Sequence, residues 1–238
     1  MTDFHSHILP GMDDGAKTVE ESIAMLLKEK RDGVEIVVAT PHFYLSENSV
    51  PQFLSRREKA YRSLLAAANG LKIPRILLGA EVYYTPSLTE LPDLEKLCIE
   101  GTEYLLLEMP YQKFTSYLLD SVENLLMTRK LKYIMAHIER YLEMTGFDGV
   151  HQLMSQEVLG QINCSSLVNL FTRKDTMNLI QKGYVHLLGT DAHNMDKRPP
   201  LYGEAVQVVN KKMPPAVYGI FCENEKKVLQ NEEIGNIL

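Results

Sequence analysis

The chain has 238 residues, 45% of them hydrophobic and 24% charged, with a formal net charge of −6. That length and apolar fraction suffice for one large core, so a single domain over residues 1–238 is expected. The acidic balance excludes a sequence-independent nucleic-acid binder, which would carry a basic face.

Cys98, Cys164 and Cys222 are odd in number and widely spaced, which fits neither a disulfide framework nor a zinc knuckle, and they are expected to be reduced. No stretch approaches the roughly 18 apolar residues that span a bilayer, and no basic segment with an apolar leader opens the chain. A cytoplasmic protein without membrane insertion is the expectation.

In chain order, the first apolar run covers residues 2–5 and ends in His5-Ser6-His7, where a side-chain period of two puts both imidazoles on one side of the strand. The loop after it carries Asp14. A helix follows over Val19–Asp32, with Thr18 as N-cap, Glu21 completing a capping box and Gly33 at the exit. Strand 34–40 runs into Thr40-Pro41-His42, and the next helix starts near Pro51 and stops at Gly70. Strand 75–82 holds Gly79-Ala80-Glu81, and strand 103–108 ends in Glu108 before a helix at 116–130. Strand 132–137 ends in His137 before a helix at 148–157. Strand 158–163 supplies no metal ligand and precedes a helix at 173–182; strand 184–190 leads into Asp191 and His193, with helices at 202–212 and 215–230 after it. Short Val/Ile/Leu-rich runs alternating with helices predict an α/β fold, a (β/α)7 barrel rather than an open sheet.

In such a barrel the C-terminal strand ends meet on one face. His5, His7, Asp14, His42, Glu81, Glu108, His137, Asp191 and His193 are therefore candidate metal ligands. Taken singly, each reads as readily as a helix cap or a hydrogen-bonded histidine; the ordered set does not. His186, of opposite strand parity to Asp191, is expected to face the helices, and His151 lies on a helix, so neither is a candidate. These nitrogen and oxygen donors exceed the three protein ligands of a single catalytic zinc, implying two or three ions. Imidazole and carboxylate without thiolate suit Mn, Fe or Zn better than Ca or Mg. Four carboxylates against three divalent ions leave a site of about +2, which suits a phosphate.

His5-Ser6-His7, Asp13-Asp14-Gly15-Ala16, Thr40-Pro41-His42, Gly79-Ala80-Glu81, His137-Ile138-Glu139-Arg140-Tyr141 and Gly189-Thr190-Asp191-Ala192-His193 resemble the motifs of the PHP (polymerase and histidinol phosphatase) superfamily. Within it they most resemble the bacterial metal-dependent protein tyrosine phosphatases of capsule and exopolysaccharide loci. The resemblance runs in order from His5 to about Pro199. It implies a distorted (β/α)7 barrel, the PHP fold, with three metals, usually manganese. The implied ligand sets are His5, His7, Glu81 and Asp191 for one ion, Glu81, Glu108 and His137 for a second, and Asp14, His42 and His193 for the third. It also implies a phosphotyrosine protein as substrate, a bacterial tyrosine autokinase of polysaccharide synthesis. Ile138 stands where the family commonly has Pro, and Phe43 where it often has His; neither is a proposed ligand.

The implied chemistry is in-line attack on phosphorus by a metal-bridging hydroxide, with no covalent phosphoenzyme. A cysteine phosphatase needs Cys-x5-Arg, and the residues six after the three cysteines are Tyr104, Leu170 and Val228. Arg140 and Arg198 are the expected catalytic phosphate clamps. Phe43, Tyr44, Tyr83, Tyr84, Tyr111 and Tyr141 follow proposed ligands and are candidates to ring the mouth, although packing explains any one of them as well. The alternative enzyme is a histidinol phosphatase or another small-molecule phosphoesterase; a non-catalytic scaffold is the reading from a different class.

Overall fold

The short apolar runs form parallel strands in the computed structural model, which describes residues 1–234; residues 235–238 of the expected domain lie outside the described residues. The strands are β1 (Thr2–Ser6), β2 (Ile36–Ala39), β3 (His42–Phe43), β4 (Arg75–Leu78), β5 (Glu81–Tyr83), β6 (Tyr104–Glu108), β7 (Lys132–Met135), β8 (Leu159–Asn163) and β9 (Leu187–Gly189). One sheet has the order β1-β2-β4 and the other β3-β5-β6-β7-β8-β9. The expected strand 75–82 is thus cut in two, and the expected strand 34–40 is followed by a separate short strand, β3. Pro41, which has no N–H to give, lies between β2 and β3, and Gly79-Ala80 lies between β4 and β5. Hydrogen bonding carries on through the cuts, from Gly79 N to Ala39 O at 2.9 Å and from Glu81 N to Pro41 O at 3.1 Å.

The ring closes where the chain beyond β9 meets β1. Asp191 N donates to His5 O at 2.7 Å and His7 N to Ala192 O at 2.9 Å. Asp3 staples this seam, since its Oδ1 accepts from Thr190 N at 2.8 Å and from His5 N at 3.1 Å, and its Oδ2 from Thr190 Oγ1 at 2.6 Å. The expected barrel is present in distorted form.

Inside it, Phe4, Val38, Leu77, Leu106, Ile134 and Leu187 are buried together below the strand ends. Burial of each such side chain contributes about 2 kcal/mol relative to exposure. Asp3 pairs with Val37 but Ser6 with Ala39, so β1 carries a bulge. The extra residue lets Phe4 join the interior cluster while His5 and His7 also turn inward, which strict alternation from Phe4 would forbid.

The helices are α1 (Val19–Arg31), α2 (Val50–Ala67), α3 (Ser116–Thr128), α4 (Leu142–Met154), α5 (Cys164–Val168), α6 (Arg173–Gln181), α7 (Tyr202–Lys212) and α8 (Ala216–Leu229). Thr18 caps α1 as expected, its side chain accepting Glu21 N at 3.2 Å. The capping box differs from expectation, because the Glu21 carboxylate reaches Lys17 N at 2.8 Å and not Thr18. The helix expected at 148–157 begins at Leu142; Gly146, at φ 67° and ψ −177°, kinks it and conceals the periodicity of its first turn. The five residues of α5 are too few for a periodic signal and were not foreseen. Among the described residues no helix is long and apolar enough to cross a membrane, and the three cysteines are free.

Candidate metal centre

His5 in β1 and His7 just past it, His42 and Glu81 opening β3 and β5, Glu108 ending β6, His137 after β7, and Asp191 and His193 after β9 meet at one mouth, and Asp14 enters from the β1–α1 loop. Glu81 is the hub. Its Oε2 lies 3.2 Å from Nε2 of His5 and of His7 and 2.9 Å from Nδ1 of His42, and its Oε1 lies 2.8 Å from Nε2 of His137. Asp191 Oδ1 approaches the same two imidazoles, at 3.5 Å from His5 and 3.3 Å from His7. Glu108 Oε1 lies 3.5 Å from His137 Nε2. On the outer side, Asp14 Oδ1 lies 3.2 Å from His193 Nε2 and 3.5 Å from His42 Nε2. His42 stands between groups, facing Glu81 through one ring nitrogen and Asp14 through the other.

Backbone conformation is part of the construction. His137 and Asp191 adopt φ of 36° and 51°, the left-handed region that costs a non-glycine residue on the order of 1–3 kcal/mol. A Cβ on Gly189 would lie 2.5 Å from the His5 Cβ, so only glycine lets β9 approach this closely.

The donor set fits metal ions on an observation of tautomers. Gln161 Oε1 accepts His137 N–H at 2.8 Å, which fixes its amide orientation, and it also faces His5 Nδ1 at 3.1 Å. Nδ1 of His5 therefore donates, and its Nε2 lone pair points inward. His7 Nδ1 is held by Asp13 Oδ2 at 2.8 Å, and His193 Nδ1 by the Asp191 carbonyl at 2.9 Å, with the same consequence. The His5 and His7 Nε2 atoms then face each other at 3.2 Å, an arrangement that a cation or a shared proton must relieve. Glu81 Oε2, Glu108 Oε2 and His193 Nε2 are buried, and their close polar neighbours lack hydrogen-bond alignment, as for atoms aimed at a shared ion.

Burial alone would raise the Glu81 and Asp191 carboxyls, but the surrounding imidazoles, His5 foremost, hold both well below the usual carboxylate range. Burial lowers His5, yet Glu81 and Asp191 carry it up to about 9. Burial and the Glu81 charge push Glu108 up to about 7. Protons thus occupy a cluster whose charge pattern divalent ions would complete.

Three orienting residues escaped sequence reasoning. Asp13 holds His7 and also accepts His42 N at 2.9 Å, but beside Asp14 it offered no distinguishing signal. Gln161 and Asn163 belong to β8, the strand that yields no ligand. Gln161 Nε2 donates to Asn163 Oδ1 at 3.2 Å, and Asn163 Nδ2 donates to Asp191 Oδ2 at 2.7 Å. A polar Gln-x-Asn in a fully buried strand is the signal that would have found them. Gln161→Leu should lower metal affinity about 10–100-fold, measured by competition with a chelator, because His5 loses the acceptor that sets its tautomer.

Arg198 Nη2 donates to Asp191 Oδ2 at 2.7 Å, and Arg140 lines the same cleft. Burial opposes the charge on Arg140, but Asp191 and Glu108 outweigh it. Of the aromatic candidates, Phe43, Tyr84 and Tyr141 are core residues and do not ring the mouth. Phe43 packs on Phe53, Tyr84 donates to Ser121 Oγ at 2.7 Å, and the Tyr141 hydroxyl accepts Met109 N at 2.8 Å. Tyr44 lies beside His42 and Tyr83, and Tyr111 is 49% exposed. His186 and His151 stay out of the centre as expected, bonded to Gly160 N and the Tyr184 hydroxyl.

Known proteins resemble this chain over nearly its whole length. The tyrosine-protein phosphatase CpsB of Streptococcus pneumoniae is 31% identical over 258 residues, covering 98% of this chain and 100% of that protein. CpsB of Streptococcus agalactiae serotype III (strain NEM316) is 29% identical over 254 residues with the same coverage. The fold matches one of the crystal structures of YwqE from Bacillus subtilis and CpsB from Streptococcus pneumoniae, metal-dependent tyrosine phosphatases, with a TM-score of 0.84 and 25% identity over 99% of this chain and 96% of that one. The model of the family described as capsular polysaccharide synthesis, CpsB/CapC, matches residues 1–230, and so the chain, as its ordered motifs implied, belongs to that family.

Proposed function

We propose that this protein is a metal-dependent protein-tyrosine phosphatase using two or three divalent ions, and that its substrate is a tyrosine autokinase of capsule or exopolysaccharide synthesis. The observation that carries the reading is the convergence of imidazoles and carboxylates around Glu81 at a mouth flanked by Arg140 and Arg198. The substrate class follows from the relatives, which are named tyrosine-protein phosphatases. As the resemblance implies, His5, His7, Glu81 and Asp191 would hold one ion, Glu81, Glu108 and His137 a second, and Asp14, His42 and His193 a third, with His7 also within reach of that group and His42 within reach of Glu81 and Glu108. Manganese is the ion we assign, with Fe and Zn compatible with the same donors. Bound ions supply a water that ionises near neutral pH and positive charge opposite the phosphate. Arg140 and Arg198 would bind phosphate oxygens through paired N–H groups, Arg198 exchanging its Asp191 partner for the substrate. The tyrosyl leaving group, with a pKa of about 10, needs little help from a general acid. A cytoplasmic location accords with three free thiols.

Chelation should abolish phosphotyrosyl-peptide hydrolysis, and added Mn2+ should restore it with two or three ions bound per chain. Unchanged turnover after complete metal removal would refute the metal's role. Preferential hydrolysis of histidinol phosphate over the peptide would replace the protein substrate with a small phosphoester.

A further inference from the structure

A cleft of about 970 Å³ opens from the metal centre and runs to the turn between α5 and α6. Arg140, Asp191 and Arg198 line it, as do Asn169 and Phe171 from that turn. This volume is at the upper end of the ~300–1,000 Å³ that encloses a whole drug-sized ligand, more than one phenyl phosphate fills. Phe171 lines this cleft and is 92% exposed, and its chain neighbour Leu170 is 75% exposed.

Two adjacent exposed hydrophobic side chains would ordinarily fold inward, but here the backbone holds them out. Asn169 Oδ1 accepts Phe171 N at 2.9 Å, and Thr172 Oγ1 donates to Ser166 O at 2.8 Å. The Arg173 guanidinium donates to Leu167 O at 2.6 Å and Val168 O at 2.7 Å, tying α6 to the end of α5. The turn is therefore a fixed presentation of an apolar tip, continuous with the cleft that reaches Asp191.

We infer that Leu170 and Phe171 form a specificity surface that receives an apolar side chain flanking the phosphotyrosine of a polypeptide substrate. The inference rests on the phosphatase reading above and adds the class of sequence preferred. The occupant is a peptide segment because the cleft is continuous with the phosphate site and extends past what a phosphorylated ring would occupy. Its wall includes the exposed Ser165 and Asp175, whose oxygens suit the backbone N–H groups of a bound chain.

The test compares wild type, Phe171→Ser and Leu170→Ser on three substrates: a phosphotyrosyl peptide with leucines on both sides, the same peptide with glycines there, and p-nitrophenyl phosphate. Wild type should prefer the leucine-flanked peptide about tenfold in kcat/KM, a difference of about 1.4 kcal/mol. Phe171→Ser should lose that preference through KM, with p-nitrophenyl phosphate turnover within about twofold of wild type. Because the side chain is so exposed, the substitution does not threaten folding. A retained preference in both variants would overturn the inference and leave the phosphatase reading intact. A fall in p-nitrophenyl phosphate turnover, or a change in sedimenting mass, would overturn it in favour of a structural or self-association role. Wild type active on p-nitrophenyl phosphate but inert toward both peptides would remove the protein substrate and this inference with it.

Discussion

Glu81→Ala is expected to reduce phosphotyrosyl-peptide turnover by about 10³-fold or more and to cut the number of bound metals per chain. Glu81 contacts His5, His7, His42 and His137, so its loss removes the carboxylate that these four imidazoles share and leaves His5 and His7 to Asp191 and His137 to Glu108. Glu81 is the ligand common to the first two proposed sets. Because Glu81 is only 1% exposed, alanine also leaves a cavity, and Glu81→Gln separates the two effects. The amide keeps the volume but removes the charge, and the same loss of metal and turnover is expected. Metal counting, steady-state kinetics and circular dichroism would check this together. A fully metallated, fully active Glu81→Gln would exclude Glu81 as a bridging ligand.

Arg140→Ala should leave metal content unchanged and lower kcat about 10²–10³-fold, because the clamp acts on the charge of the transferring phosphoryl group and not on the ions. The position is set by the turn after β7, where His137 in the left-handed conformation redirects the chain and Arg140 N donates to His137 O at 2.9 Å. Lysine should recover only part of the rate, since it supplies charge without the paired donor geometry. Phosphate or vanadate inhibition gives a second readout, expected to weaken in parallel with kcat. Unchanged turnover in Arg140→Ala would take this residue out of the mechanism.

Most of the centre was legible because donor residues stand at the ends of apolar runs, where a parallel barrel gathers them. That logic finds ligands but not the groups that orient them. Gln161 and Asn163 are amides, which rarely bind catalytic metals, so β8 looked empty although it sets the tautomer of His5 and holds Asp191. Asp13 and Asp14 are neighbours of the same type, and only their contacts assign one to His7 and the other to His42 and His193. The aromatic residues divide for a related reason. Phe43, Tyr84 and Tyr141 follow ligands in sequence exactly as Tyr44, Tyr83 and Tyr111 do, and whether each turns inward depends on which helix lies behind it.

The sequence by itself determined the α/β barrel, the face on which its site lies, the donor chemistry of that site and the family. Periodicity, residue type and motif order are local properties that a reader of the chain can count. Tertiary structure alone decided that Glu81 is the hub, that a bulge in β1 turns both histidines inward past Phe4, and that Phe171 lines the cleft while it and Leu170 stand exposed. These depend on strand register, on tautomers set by partners more than a hundred residues away, as His5 and Gln161 are, and on hydrogen bonds that fix a turn against its own hydrophobicity.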